Sequence, residues 1–312
     1  MTEPIVPKAS LSTLLDGLID FAGLFPPASL DMTSMVESWR RGIESELSWT
    51  LGRIIVPVTK LDEFVSVASD LFPSDVNEDP WVLSVLLSPS SDDPLERQIE
   101  VVERFNQSWA SDGSGGAIID VVEFRGSSAN SIDQMLDRLP DELFPFVEIP
   151  IDTDVRGLLA VLVGSDAGAK IRTGGVKPEM YPEASHLANF IVQCAKADVP
   201  FKATAGLHHP LCNHEPAVPA MQFGFLNVFV ASLLARRDEA VTADELLPVL
   251  SRDVIDGIEF TDEALIWGEH RFDLEAIEDA RIAFSLSFGS CSYDDPWDDL
   301  KTLGLLPTRG QQ

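Results

Sequence analysis

The chain has 312 residues, 45% of them hydrophobic and 23% charged, with 22 basic against 51 acidic side chains and a formal charge of -29. That composition is that of a folded soluble protein, not a disordered or fibrous one. The acidity argues against a nucleic-acid or anionic-membrane partner, because Lys and Arg gather only at "WRRG" and "ARRD".

Apolar runs rich in β-branched residues alternate with segments of helical period along the chain. The first expected strand is "LIDFAGL" (18–24), followed by a rigid "FPPAS" turn and a helix over 33–47 with Asp31 as cap. "LGRIIVPV" (51–58), "WVLSVLLS" (81–88), "AIIDVVEF" (117–124) and "FPFVEIP" (144–150) continue the series, with helices expected over 60–71, 93–108, 130–138 and 153–163 between them. "AKIRTG" (169–174), a helix over 182–197, "PFKATAG" (200–206) and "FSLSFG" (284–289) complete eight strands. Strict alternation implies parallel strands with crossover helices. Eight units, with no GxGxxG after the first strand, predict an α/β fold of the (β/α)8 barrel type.

The stretch 207–283 is too long for one loop and one helix. Extra helices are therefore expected between strands seven and eight, over about 210–282, including 223–237 and 242–251. Phe223, Phe225, Phe229 and Leu233 recur at helical spacing, as core or subunit contact. The chain reads as one domain over 1–306 with a frayed tail at 307–312. Cys194, Cys212 and Cys291 form no CxxC pair, which fits a reducing compartment. No apolar run approaches the roughly 18 residues of a membrane span, and the first thirty residues lack a signal pattern, so the expected location is the cytoplasm.

Barrel enzymes carry their chemistry at the C-terminal ends of the strands. The polar residues there are Asp20, Asp120, Glu123, Arg125, Glu148, Lys170, Arg172 and Lys202, with His208 and His209 just beyond strand seven. Of only seven lysines, two fall inside predicted strands. A buried ammonium costs several kcal/mol unless it is paired or loses its proton. A neutral amine condenses with carbonyls, and a second cation nearby makes deprotonation easier. Lys170 and Lys202 on adjacent strands are such a pair, with Arg172 on the same face as Lys170. The alternative is that both lysines are ion-paired to Glu123, Glu148 or Asp120 for structure.

"AKIRTGG", then "PEASHLANFIVQCAKADVPFKATAGL", then "FGSCSYDDPWDDLKTLGLL" resembles the last three βα units of the class I deoxyribose-phosphate aldolases. "LIDFAGL" and "AIIDVVEF" are similar to that family's first and fourth strands. The resemblance covers about half the chain, and it implies a Schiff-base lyase. Lys170 matches the Schiff-base position and Lys202 the lysine that perturbs it. Asp120, or Glu123 with the strand slid, matches the proton relay. Asp20 matches the first-strand aspartate, and Gly289, Ser290 and Ser292 lie in the phosphate turn. The chain departs from the family at Arg172, where a small hydroxylated residue is expected, and at Cys291, where a serine is expected.

The resulting expectation is an aldolase-type lyase for a small anionic carbonyl substrate, without a cofactor. Lys170, Lys202, Asp120 and Glu123 would do the chemistry, and Asp20, Glu148, Arg172, His208, His209, Gly289, Ser290 and Ser292 would bind substrate. One alternative is a metal-dependent barrel hydrolase or lyase on His208, His209, Cys212 and His214, and another is a non-catalytic metabolite-binding barrel. A homo-oligomer is compatible with either.

Overall fold

Runs dominated by Val, Ile, Leu and Phe, bounded by Gly, Pro and Asp, form the strands. In a parallel barrel both strand faces are covered, one by interior side chains and one by helices. The computed structural model of the protein describes residues 7–75, 77–110, 116–152, 154–214 and 218–306, so the expected tail at 307–312 lies outside the described residues. The barrel strands are β1 (Ile19–Phe21), β2 (Leu51–Pro57), β3 (Trp81–Leu86), β4 (Ala117–Arg125), β5 (Phe144–Glu148), β6 (Gly168–Arg172) and β7 (Phe201–Thr204). After β7 come a small hairpin, β8 (Asn213–His214) and β9 (Met221–Gln222), and an antiparallel sheet of β10 (Ile258–Phe260), β11 (Ala264–Trp267) and β12 (His270–Asp273). The last barrel strand, β13 (Ser285–Ser290), closes between β7 and β1. All eight barrel pairings are parallel. The fold is the expected (β/α)8 barrel.

Helices α1 (Ala9–Leu15), α2 (Met32–Ile43), α3 (Leu61–Ala68), α4 (Leu95–Trp109), α5 (Ala129–Leu136), α6 (Arg156–Leu162) and α7 (Ala184–Ala197) precede β7. Helices α8 (Phe225–Arg237), α9 (Ala243–Leu250) and α10 (Leu274–Ala283) lie between β7 and β13, and α11 (Asp294–Thr302) follows. Asp31 caps α2 by accepting from Ser34 N at 2.8 Å, as its position before the helix suggests. Helix α8 is apolar all round and buried along nearly its whole length, which explains its run of phenylalanines. Phe225 and Phe229 pack on Phe288, the outward-facing residue of β13, with ring centroids 5.4 and 6.1 Å away. They are therefore core of this chain.

The insertion contains more than helices. "ALIWGEHRFD" forms a two-strand hairpin whose connection is Gly268-Glu269, with Gly268 at φ +60. A two-residue loop that opens on a glycine with positive φ is a standard hairpin connection, so period-two alternation around Gly-Glu was the available signal. Helix α1, also absent from the sequence reading, joins this sheet through Ser10 N donating to Thr261 O at 3.1 Å. Near the strand N-termini, buried Arg281 donates from Nε to Leu14 O at 2.8 Å and from Nη2 to Asp16 O at 3.0 Å. Its Nη1 donates to the carbonyls of Ser285 and Leu286. One guanidinium thus ties the approach to β1 to the start of β13 and satisfies four carbonyls.

Phe288→Ala empties a fully buried site between barrel and helices, and loss of contacts plus the residual cavity should cost about 3–5 kcal/mol. Urea denaturation at neutral pH measures this, and a loss under 1 kcal/mol would mean that α8 does not clamp β13.

Candidate active site

Side chains in a strand alternate with period two, so each barrel strand sends every second residue inward. In β6 these are Gly168, Lys170 and Arg172. Register sets Glu148 beside Lys170, Lys170 beside Lys202, and Lys202 beside Ser287 on four adjacent strands. Room for this row comes partly from Gly168, where a Cβ would stand 2.6 Å from the Phe146 ring. That ring lies under Lys202, with Nζ 5.3 Å from its centroid.

Acids and bases alternate in space. Lys202 Nζ donates to Asp20 Oδ2 at 2.6 Å and to Glu123 Oε1 at 2.7 Å. Glu123 Oε2 is 2.7 Å from Lys170 Nζ, and Lys170 Nζ is 3.0 Å from Glu148 Oε2. Arg172 Nε donates to Glu148 Oε1 at 3.3 Å, and Arg125 Nε stands 3.5 Å from the same oxygen. Hydroxyls fill remaining acceptor sites: Ser84 donates to Glu123 Oε1 and Ser287 to Asp20 Oδ2, both at 2.7 Å. Arg53 N donates to Asp20 Oδ1 at 2.9 Å.

The two lysines differ within this ladder. Lys202 is completely buried and makes two well-formed hydrogen bonds. Lys170 contacts Glu123 Oε2, an oxygen that has no partner of hydrogen-bond geometry, and Lys170 lines a cavity of about 800 Å³ at the C-terminal mouth. Burial opposes ionisation of Glu123, yet Lys170 and Lys202 hold its carboxyl far below the usual range. Burial likewise opposes the Glu148 charge, and Lys170 with Arg172 outweighs it, keeping this carboxyl low too. Burial pulls Lys202 downward, but Asp20 and Glu123 more than compensate, so its ammonium is held above the ordinary lysine value. The sequence reading had the amines lowering each other's basicity; Glu123 stands between them instead, and Lys202 is shifted upward.

Over Lys170 the cavity is walled by Arg125, Glu148, Arg172, Thr204, His208 and Gly289, with Phe25, Pro26 and Pro27 of the first loop across the mouth. The loops after β6 and β7 meet closely. A Cβ on Gly206, at φ +80, would stand 2.8 Å from Gly174 Cα, so the glycines that close "AKIRTG" and "PFKATAG" set this approach. Beyond it His208 faces the cavity, with Nδ1 3.8 Å from Asp295 Oδ2. Burial outweighs that carboxylate and lowers the His208 pKa, favouring the neutral ring.

Other expected residues lie elsewhere. Asp120 is held by Arg53 through Nε at 2.7 Å and Nη2 at 2.6 Å, away from the lysines, and leaves Glu123 as the β4 acid that reaches them. A register shift between β3 and β4 at this point makes Asp120 and Glu123 hard to separate by counting along the strand. His209 Nδ1 is 2.5 Å from Asp299 Oδ2. Cys212 Sγ lies 2.8 Å from Met221 Sδ, and His214 is exposed on the small hairpin. Among the described residues no three His, Cys, Asp or Glu side chains converge as a metal set, so the proposed ligands His208, His209, Cys212 and His214 do not form one. At the end of β13, Gly289 lines the cavity and Ser290 Oγ donates to Ser292 O at 2.5 Å, and in the turn that follows Ser292 Oγ accepts from Asp295 N at 3.3 Å.

Sequence reasoning missed Ser84, Ser287 and Arg53. Ser84 was visible as the one hydroxyl of an otherwise apolar strand, whereas Ser287 is one of three serines in β13 and only the register singles it out. No family model matches the chain, and no curated protein or solved structure matches it.

Two depressed carboxyls fix the sign of the acid response. Glutamates in the unfolded chain take up protons first as pH falls, so the stabilisation from Glu123 and Glu148 is whole above about pH 4.5 and drains away below it. Lys202 acts oppositely: its contribution is complete below pH 10.5 and is lost as pH rises through its raised folded value. Glu123→Gln should lower neutral-pH stability by about 3–5 kcal/mol, because two buried ammoniums lose their shared partner. It should also flatten the decline below pH 4.5 in denaturation curves. A variant with the wild-type acid slope would show that Glu123 does not carry the depressed titration.

Proposed function

We propose that the protein is an aldolase-type lyase in which Lys170 forms a Schiff base with a small anionic carbonyl substrate. One observation carries the reading: of the two interior lysines, Lys170 alone lines the open cavity, while Lys202 is sealed beneath it by Asp20 and Glu123. The sequence resemblance to class I deoxyribose-phosphate aldolases agrees with it.

The chemistry starts when Lys170 gives up a proton. Glu148, whose Oε2 is 3.0 Å away and faces the cavity, is the acceptor. The neutral amine adds to the substrate carbonyl, and the carbonyl oxygen takes a proton to become a hydroxyl. Returned acid from Glu148 lets that hydroxyl leave as water, giving an iminium. Electrons of the neighbouring carbon-carbon bond then flow into the iminium, forming an enamine, as the β-hydroxyl proton passes to the carboxylate and a carbonyl product departs. Lys202 and Glu123 act as positioning residues. Their fixed pair keeps one charged carboxylate under Lys170, so the iminium that replaces the ammonium meets the same compensation.

A panel of small aldehydes, ketones and 2-oxo acids with cyanoborohydride tests this, read by intact mass and peptide mapping. The expected adduct is at Lys170, in preference to the exposed Lys8 and Lys60, and is lost in Lys170→Met. Glu148→Gln should slow trapping by about 10²-fold or more through loss of the proton acceptor. Adducts confined to exposed lysines, with the circular dichroism of the native fold retained, would leave a barrel that binds a metabolite without this chemistry.

A further inference from the structure

We infer that the cavity takes a 2-oxo monocarboxylate, its carboxylate held by Arg172 and Arg125 and its oxo group at Lys170. This inference rests on the Schiff-base reading above and names its substrate class. Three observations lead to it.

First, the two guanidiniums are only partly engaged. Arg172 donates one hydrogen bond, from Nε to Glu148, and Arg125 approaches the same oxygen at 3.5 Å, so neither uses its Nη atoms on a protein acceptor among the described residues. Both line the cavity, and a planar fork with free Nη atoms suits a carboxylate. Second, the spacing is short. Lys170 and Arg172 contact opposite oxygens of the single Glu148 carboxylate, at 3.0 and 3.3 Å. A ligand touching both cationic heads needs its carbonyl carbon next to its carboxyl carbon. Third, the charge fits a monoanion. Setting aside the mutually paired Arg53 and Asp120, the cluster holds Lys170, Lys202, Arg125 and Arg172 against Asp20, Glu123 and Glu148, one net positive charge.

The turn after β13, where a phosphate would be expected, is unsuited to a dianion. The Ser290 hydroxyl is spent on the Ser292 carbonyl, and the Asp294 and Asp295 carboxylates, which would repel a dianion, open the helix that follows. Seating a carboxylate on the arginines would also offset two of the charges that hold Glu148 ionised.

Calorimetry with oxamate, a 2-oxo acid mimic that forms no imine, tests the site apart from the covalent step. Oxamate should bind the full chain, and inorganic phosphate should compete only at tenfold or greater excess. Arg172→Gln and the largely exposed Arg125→Gln, which keeps the fold intact, should each weaken binding at least tenfold. Phosphate competing as well as oxamate, or unchanged binding in both variants, overturns the proposal. Oxamate bound through the arginines with no carbonyl compound trapped at Lys170 supports the carboxylate site and sinks the Schiff-base chemistry. Neutral carbonyls trapped at Lys170 with oxamate indifferent to both arginines does the reverse.

Discussion

Two ammonium groups enclosed in one barrel can coexist only if anions are set between and beside them, and this requirement governs the rest of the site. The sequence Asp20, Lys202, Glu123, Lys170, Glu148 runs across the interior with every contact between opposite charges. Desolvating each ion costs several kcal/mol, and mutual attraction offsets that only where geometry and extra hydrogen bonds are good. Ser84, Ser287 and the Arg53 amide provide those extra bonds at the acids. Once five charges depend on one another, removing any one leaves its neighbours buried and unpaired. Such a ladder is therefore a weak device for stability and a strong one for fixing the position of a reactive nitrogen.

The barrel supplies the geometry without special backbone. Parallel register sets Glu148, Lys170, Lys202 and Ser287 side by side, at the strand spacing of about 4.8 Å. Period two then lifts Arg172 and Thr204 to the next level, where the interior opens. Gly289 on β13 adds no side chain at this level, and the cavity begins there. Lys170 and Lys202 share one level, and their neighbours separate them: Asp20 and Glu123 hold Lys202 over the Phe146 ring, whereas Lys170 lines the cavity.

The barrel and most of the ladder were legible because their signals are local and periodic. Eight apolar runs at helix-separated spacing give the strands, and charged residues inside those runs identify the interior positions. Relative charge order was not legible. Whether Glu123 or Asp120 serves the lysines depends on a register shift between β3 and β4, and whether two amines face one another or an intervening acid depends on four strands at once. The histidine and cysteine cluster misled for the opposite reason. Closeness in sequence at His208, His209, Cys212 and His214 does not become convergence, because Asp299 takes one ring and the others are spread along a loop and hairpin. The β10 to β12 sheet was missed because the insertion between strands seven and eight, too long for one loop and one helix, was read as extra helices, although its Gly-Glu turn marked a hairpin.

Arg172 would give the proposed anionic substrate a local positive charge on a protein of formal charge -29. Exposed charges lose their reach beyond about 10 Å at 0.1 M salt, so the acidic exterior sets solubility and long-range repulsion but not the potential inside the mouth. There the nearest charges decide. Lys170 and Lys202 are already countered by Asp20 and Glu123, which leaves the two arginines with Glu148 as the one carboxylate between them. Burying the lysines against Asp20 and Glu123 thus leaves the uncompensated charge on the guanidiniums above them, where the proposed 2-oxo acid would seat its carboxylate with its oxo group toward Lys170.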